Sequence, residues 1–370
     1  MSMLAKHRMA LHQIPEIGFH EFKTKAYLHE QIKDLGGVLH EIGETGLLLY
    51  FDHQQNETIA FRTDIDALPI QEETNLPFPS THEGMMHACG HDGHMAMLLG
   101  LTEYIADHKE QLMYNVVLIF QPSEEISGGA ESVIQTGLLE DYQVQAIFGF
   151  HLWPGLPKGE IYSRSGAFMA QSSETDIIVK GRSAHIASSE QGIDSIRGAI
   201  GFMDEVYELE QSLPKEWRRL IKFGQITGGT IRNVLANEVT ISGSIRSYDQ
   251  QIQDSIKVQL ADLAEKFQKN SQVSIQFRYN DGYPAVINDP HLYTALKQSE
   301  KLHELEQPVL QTEDFGGYTQ KYPCVFFFLG VGDTPALHDA RFDFDMAVLE
   351  KGVAWYQTIL HTKGLLLKKD

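Results

Sequence analysis

The chain has 370 residues, 42% hydrophobic, 10% aromatic and 22% charged, which excludes a disordered or fibrous protein and suits two globular domains. Its 50 acidic residues against 30 basic ones leave a formal charge of −20. That balance argues against nucleic acid and anionic membranes as partners, since both require clustered Lys and Arg. Cysteine occurs only at Cys89 and Cys324, a usage that points to a reducing compartment rather than a disulfide framework. No run approaches the length of a membrane span, and Met1 to Ile14 mixes His, Lys, Arg and Gln with its apolar residues, unlike a signal peptide. A cytoplasmic enzyme is expected.

Leu4, Met9, Leu11 and Ile14 carry helical spacing up to Pro15, and a second helix is predicted over 21–35, closed by Gly36-Gly37. Segments 47–52 and 58–62 read as strands, followed by the loop Asp64-Ile65-Asp66-Ala67-Leu68-Pro69. After a helix over 95–108, the apolar run 116–120 reads as a buried strand. It ends at Gln121-Pro122, with Glu124 and Glu125 just beyond. A helix over 130–136 leads to a strand over 146–150, and His151 follows directly. Alternating strands and helices predict a mostly parallel α/β sheet, in which ligands bind beyond the carboxyl ends of the strands.

The middle of the chain changes character. Strands over 173–180, 223–227, 238–246 and 273–279 and helices over 193–213 and 250–268 predict an α+β sandwich with an antiparallel sheet. After Gly282-Tyr283-Pro284 the α/β pattern returns, with a strand over 325–329, a loop over 330–338 and a helix over 347–360. The expected architecture is a metal-binding catalytic domain over 1–171 and 283–370, split by an inserted satellite domain over 172–282.

The densest chemistry is His87-Ala88-Cys89-Gly90-His91-Asp92-Gly93-His94. Thiolate and imidazole together suit zinc, cobalt, nickel, manganese or iron rather than magnesium or calcium. Cys89 and His91 flank one glycine, so a flexible loop would aim both at one ion. The same octet also reads as a histidine-rich helix start, and Cys89 beside a histidine could serve as a thiol nucleophile. So many neighbouring imidazoles favour a ligand. Glu124, Glu125, His151 and His338 each have a plain structural reading when taken alone. Their common position near strand ends, with Cys89 and His91, points to one centre. In that reading His87, Asp92 and His94 support the site rather than ligate. Adjacent carboxylates on an extended segment point opposite ways, so Glu124 and Glu125 are expected to take different roles. Cys324, after Pro323, reads as core packing.

With Leu11-His12-Gln13-Ile14-Pro15-Glu16, Arg62-Thr63-Asp64-Ile65-Asp66-Ala67-Leu68-Pro69-Ile70, the octet, Phe120-Gln121-Pro122-Ser123-Glu124-Glu125, Gly149-Phe150-His151, Gly228-Gly229-Thr230 through Asn233-Val234, and Thr312-Glu313-Asp314-Phe315, the chain resembles the hippurate-hydrolase and aminoacylase branch of the co-catalytic metallopeptidases. That branch includes auxin-conjugate hydrolases and N-acetyldiaminopimelate deacetylases. The resemblance runs essentially end to end. It implies two divalent transition-metal ions (Mn, Zn, Co or Ni) held by Cys89, His91, Glu125, His151 and His338. It further implies Glu124 as general base, Asp66 as a supporting acid, and His185 of the satellite domain as a residue that reaches the active site. Asn233 and Arg246 are implied to touch substrate. The implied substrate is a small N-acyl amino acid, and the implied assembly a homodimer or tetramer through the satellite domain. Gly18 to Leu28 is most similar to the N-acetyldiaminopimelate deacetylases; hippurate, auxin conjugates and dipeptides are the alternatives. Ile186, Ser189 and Glu190 depart from the family's small-residue, proline and histidine pattern after His185. A metal-binding or dimerising protein without catalysis is the reading from another class; the paired Glu124-Glu125 argues against a closed structural zinc site.

Overall fold

The computed structural model describes residues 2–126 and 128–366. The elements in chain order are α1 (Met3–His12), α2 (Phe22–Ile32), β1 (Val38–Ile42), β2 (Gly46–Phe51), β3 (Thr58–Asp64), α3 (His91–Asp107), β4 (Asn115–Gln121), α4 (Gly129–Ile134), α5 (Leu138–Asp141), β5 (Val144–Pro154), β6 (Ile161–Ser163), β7 (Gly166–Met169) and β8 (Gln171–Lys180). They continue with α6 (Ser195–Ser212), β9 (Leu220–Gly228), β10 (Glu238–Ser247), α7 (Gln250–Ser271), β11 (Ser274–Asp281), β12 (Val286–Asn288), α8 (Pro290–Lys297), β13 (Leu302–Glu304), α9 (Gly316–Thr319), β14 (Cys324–Gly332) and α10 (Ala347–Leu360). Two compact units result. The first comprises Met1–Phe168, Val286–Pro308 and Asp314–Asp370, and the second Met169–Ala285 and Val309–Glu313.

An eight-stranded sheet ordered β1-β2-β4-β3-β5-β14-β6-β13 forms the centre of the first unit. Its middle strands β4, β3, β5 and β14 are mutually parallel, and every residue of β3 and β4 is buried. Continuous apolar runs such as Val116 to Phe120 are what a strand covered on both faces requires. β1 and β2 form an antiparallel hairpin at one edge; the exposed Val38 and Glu41 blur the alternation of β1, which sequence reading passes over. α3 is buried over most of its length because α1 and α10 both pack on it. It begins at His91, four residues before the apolar periodicity starts at Met95. His91, Asp92 and His94 therefore lie on its first turn rather than in a flexible loop. β5 runs on through His151 to Pro154, so that histidine is part of a strand instead of following one.

The second unit is a four-stranded antiparallel sheet ordered β11-β8-β10-β9. α6 and α7 cover one face, burying Ile177, Val179, Phe202, Val206, Ile241 and Ile256. Both helices start at aspartate caps. Asp194 accepts from Arg197 N at 3.0 Å, and Asp249 accepts from Gln251 N and Ile252 N at 2.8 and 3.1 Å. Segment 309–313 packs with this unit: Ala170 N donates to Val309 O and Gln311 O at 3.2 and 3.0 Å.

A buried polar cluster ties α1 to α3 in the first unit. Arg8 Nε and His12 Nδ1 donate to Asp92 Oδ2 at 3.2 and 2.8 Å, and Arg8 lies over the Phe344 ring at 3.7 Å. Burial lowers the His12 pKa, but its bonds to Asp92 and Glu72 outweigh that and raise it to about 9 from 6.5. A raised histidine pKa contributes stability that is complete below 6.5 and disappears as pH climbs through about 9. The stability lost in His12→Asn is therefore expected to be larger at pH 6 than at pH 10, by on the order of 3 kcal/mol. Urea unfolding of both proteins at the two pH values measures this, and an equal loss at both would remove the charged pair from the account.

Candidate metal centre

Three parallel strands deliver the chemistry at one end of the large sheet. β3 ends in Arg62, Thr63 and Asp64, β4 ends in Gln121, and β5 carries His151. Cys89 and His91 arrive on either side of Gly90, which has φ +87° and precedes α3. A Cβ there would face left-handed strain and meet Leu152 Cδ1 at 3.1 Å. The chain can thus turn sharply from Cys89 into a helix whose first turn presents His91.

Cys89 Sγ lies 3.3 Å from His151 Nε2. Glu125 Oε1 lies 3.3 Å from His338 Nε2 and 3.8 Å from His91 Nε2. Ligand atoms of Cys89, His91 and His151 lie within 4.8 Å of one another, as do those of Cys89, Glu125 and His338 and those of His91, Glu124 and Glu125. The structure thus brings together Cys89, His91, Glu124, Glu125, His151 and His338. Asp66 lies beside them, its Oδ2 accepting from Glu125 N at 2.9 Å. Glu124 and Glu125 sit in a turn rather than an extended segment. That corrects the expectation of opposed carboxylates: Ser123, at φ +55°, bends the chain so that both reach the His91 side. His338 is also left-handed, at φ +65°, and its N–H donates to Ala88 O at 2.9 Å. Two non-glycine residues thus hold uncommon backbone conformations at this one place.

The hydrogen bonds settle which ring nitrogens face inward. His91 Nδ1 donates to Asp66 O at 2.9 Å, and His151 Nδ1 donates to Leu152 O at 2.7 Å. Both rings therefore turn an Nε2 lone pair inward, as metal-ligating histidines do. His91 Nε2 and Glu125 Oε1 are buried without a hydrogen-bond partner. His94 is already committed. Its Nε2 accepts from Leu152 N at 2.9 Å, so Nδ1 carries the proton and donates to Asp64 Oδ1 at 2.8 Å. Buried His87 has neither ring nitrogen hydrogen-bonded, and burial above all lowers its pKa to about 3.

The electrostatics ask for a cation. Burial and then the Glu125 and Glu124 carboxylates push the Cys89 thiol well above its usual range. Burial lowers the His91 pKa, but Asp64, Asp66 and Glu125 overcome that and raise it to about 10. Burial and the neighbouring His94 bring His151 down to about 3, leaving it neutral. A thiol that cannot ionise alone, beside an imidazole that would otherwise hold a proton, fits a site whose positive charge is a divalent metal. Soft sulfur and imidazole with carboxylate favour a transition ion.

A network beneath the centre was not singled out as functional in the sequence. Arg62 donates to Gln121 Oε1, Asp64 Oδ2 and Asp314 Oδ1 at 2.9, 2.8 and 2.5 Å. Gln121 Nε2 and Ala130 N donate to Asp314 Oδ2 at 2.6 and 2.9 Å. Burial would raise the Asp64 carboxyl, but His91, His94 and Arg62 hold it well below the ordinary range. For Arg62, Asp64 and Gln121, polar residues closing otherwise apolar buried strands are the signal that could have found them; Asp314 stands in a turn before α9.

His185, Asn233 and Arg246 belong to the second unit. His185 is exposed, and its Nδ1 accepts from Ala187 N at 3.1 Å. That contact leaves Nε2 as the ring nitrogen available to a ligand. Ile186 N donates to Asn233 O at 3.1 Å, so His185 and Asn233 lie on paired segments. Arg246 donates to Leu310 O at 2.7 Å.

A buried thiol, two imidazoles and paired carboxylates gathered at one end of a parallel sheet define a metal-dependent hydrolase. Residues 60–362 match Peptidase family M20/M25/M40, and the chain belongs to that family. It is 35% identical over 374 residues to an uncharacterised hydrolase of Staphylococcus epidermidis, covering 97% of this chain and 98% of the relative. A dinuclear metal-binding peptidase of the M20 family from Bacillus subtilis superimposes with a TM-score of 0.85 at 28% identity, covering 97% and 98% of the two chains. An aminobenzoyl-glutamate utilization protein from Klebsiella pneumoniae, 18% identical with a TM-score of 0.65 over 96% and 94% of the chains, shares the fold.

Cys89→Ala is expected to lower bound metal per chain by at least about tenfold in competition with a chelator, since a lost ligand weakens a site at least as much as a lost outer partner does. Elemental analysis of the folded variant measures it; undiminished metal would take Cys89 out of the donor set.

Proposed function

We propose that the protein removes an acyl group from an N-acyl amino acid, with Cys89, His91, Glu125, His151 and His338 holding two divalent transition-metal ions. The inward-facing Nε2 atoms of His91, beside Glu125, and of His151, beside Cys89, are the observation that carries this reading. Bound there, such ions supply Lewis acidity and bring the pKa of water down to roughly 7. Glu124, whose carboxylate belongs to the same cluster, takes the proton from the attacking water and returns it to the leaving amine nitrogen. Asp66 fixes His91 through its carbonyl and Glu125 through its carboxylate. The roles of His185 as a donor to developing negative charge, and of Asn233 and Arg246 in holding substrate, form part of this proposal. A small N-acetyl substrate such as N-acetyldiaminopimelate is the preferred reading, on the likeness of residues 18–28. Two free, buried cysteines support a reducing, cytoplasmic setting.

The second unit supports a homodimer. β9 is an edge strand, which presents unpaired N–H and C=O groups. Ile196, Ile200, Ile226 and Ile231, on α6, on β9 and just after it, are 46–59% exposed. A second copy of the chain would cover both features.

Glu124→Gln is expected to keep its metal and lose about 10²- to 10⁴-fold in turnover. Amine release from N-acetyl, benzoyl and indoleacetyl amino acids and from dipeptides, with chelator treatment and restoration by Mn, Zn, Co or Ni, measures this; near-parental turnover in the variant would sink the assignment. Ile200→Asp is expected to shift the oligomer to monomer in light scattering, and an unchanged mass would move the interface elsewhere.

A further inference from the structure

The residues on either side of Glu124 both donate their backbone N–H to buried carboxylates. Glu125 N donates to Asp66 Oδ2 at 2.9 Å, and Ser123 N donates to Glu21 Oε1 at 2.8 Å. Ser123 is left-handed at φ +55°, a conformation that costs a side-chain-bearing residue roughly 1–2 kcal/mol and persists only when its surroundings over-determine it.

Glu21 stands at the N-cap of α2 but does not cap it. That task falls to Glu16, whose Oε2 accepts from Lys23 N and Thr24 N, both at 2.9 Å. The Glu21 carboxylate is thereby released to reach Ser123. It is fully buried, and its Oε2 has no hydrogen-bond partner. Burial raises its pKa against the pull of the Thr45 hydroxyl, with Asp66 adding like charge. Burying a carboxyl this way is unfavourable, and the Ser123 N–H, with the Thr45 hydroxyl, is among the groups that offset it. The backbone of the same segment is pressed onto the turn: a Cβ on Gly18 would lie 2.5 Å from Ser123 Oγ and 3.0 Å from its Cα.

We propose that Glu21 is a positioning residue for Glu124, acting through the Ser123 N–H while Asp66 secures the following amide. The catalytic consequence rests on Glu124 being the general base. The experiment compares the full-length, metal-loaded parent with Glu21→Leu, Glu21→Gln and Glu124→Gln by amide hydrogen exchange across 118–126, by metal content, and by kcat and KM on the best N-acyl amino acid. Glu21→Leu is expected to exchange faster at Ser123 and to lose about 10- to 100-fold in kcat, the scale of a small misplacement. Its KM should stay within about twofold, a split that marks lost transition-state stabilisation, with metal retained. Glu21→Gln keeps an acceptor oxygen and should stay close to the parent. Should the leucine variant not fold, Glu21→Ala is read in the same way. Parental exchange and kcat in the leucine variant, or a glutamine variant impaired as much as the leucine one, would overturn the proposal. Full turnover in Glu124→Gln would instead sink the general-base reading, and the exchange data would still decide whether Glu21 holds Ser123.

Discussion

Arg62 donates to Gln121, Asp64 and Asp314 in the interior of the first unit, and from those contacts the metal centre is hung. Asp64 passes the constraint to His94, and His94 passes it to the backbone of β5 through Leu152 N. Asp314 passes it to the start of α4 through Ala130 N. The ends of β3 and β4, the first turn of α3 and the middle of β5 are thereby connected through buried hydrogen bonds. Each group is costly to bury and nearly every one is answered, which is the condition under which a polar interior gives rigidity rather than instability.

That foundation explains why the donors above it are ready for use. His94 has both nitrogens engaged and takes no further part, whereas His91 and His151 spend only Nδ1 on backbone carbonyls and leave Nε2 facing inward. One helix turn separates His91 from His94, yet His94 has both ring nitrogens hydrogen-bonded to protein groups while His91 Nε2 has no partner. The same division runs through the acids: Asp64 answers Arg62 and His94, Asp66 answers Glu125 N, and Glu125 turns toward His91 and His338.

The large parallel sheet was legible because its strands are unbroken apolar runs, and the antiparallel sheet because β8 and β10 alternate. The gathering of Cys89, His91, Glu125 and His151 was legible from their types and their nearness to those runs. Hidden were features that hydrophobic periodicity does not encode. The start of α3 carries histidines in place of an apolar face, so periodicity marks the helix only from Met95 onward. The left-handed Ser123 has no glycine to announce it, so local pattern gives an extended segment at Glu124 and Glu125. Arg62 and Gln121 are far apart in sequence and meet because β3 and β4 pair in parallel, and Asp314 reaches them from a distant loop before α9, contacts no local pattern reveals.

Segment 309–313 carries a last consequence. Ala170 N, at the entrance to β8, is satisfied by the carbonyls of Val309 and Gln311, so the second unit is assembled from two stretches of chain. Cutting the gene at 169 and 285 would leave that amide without its partners. Anyone grafting this unit onto a relative, or expressing it alone, has to move the short distal stretch as well; the natural module boundary is a pair of segments, not a single insertion.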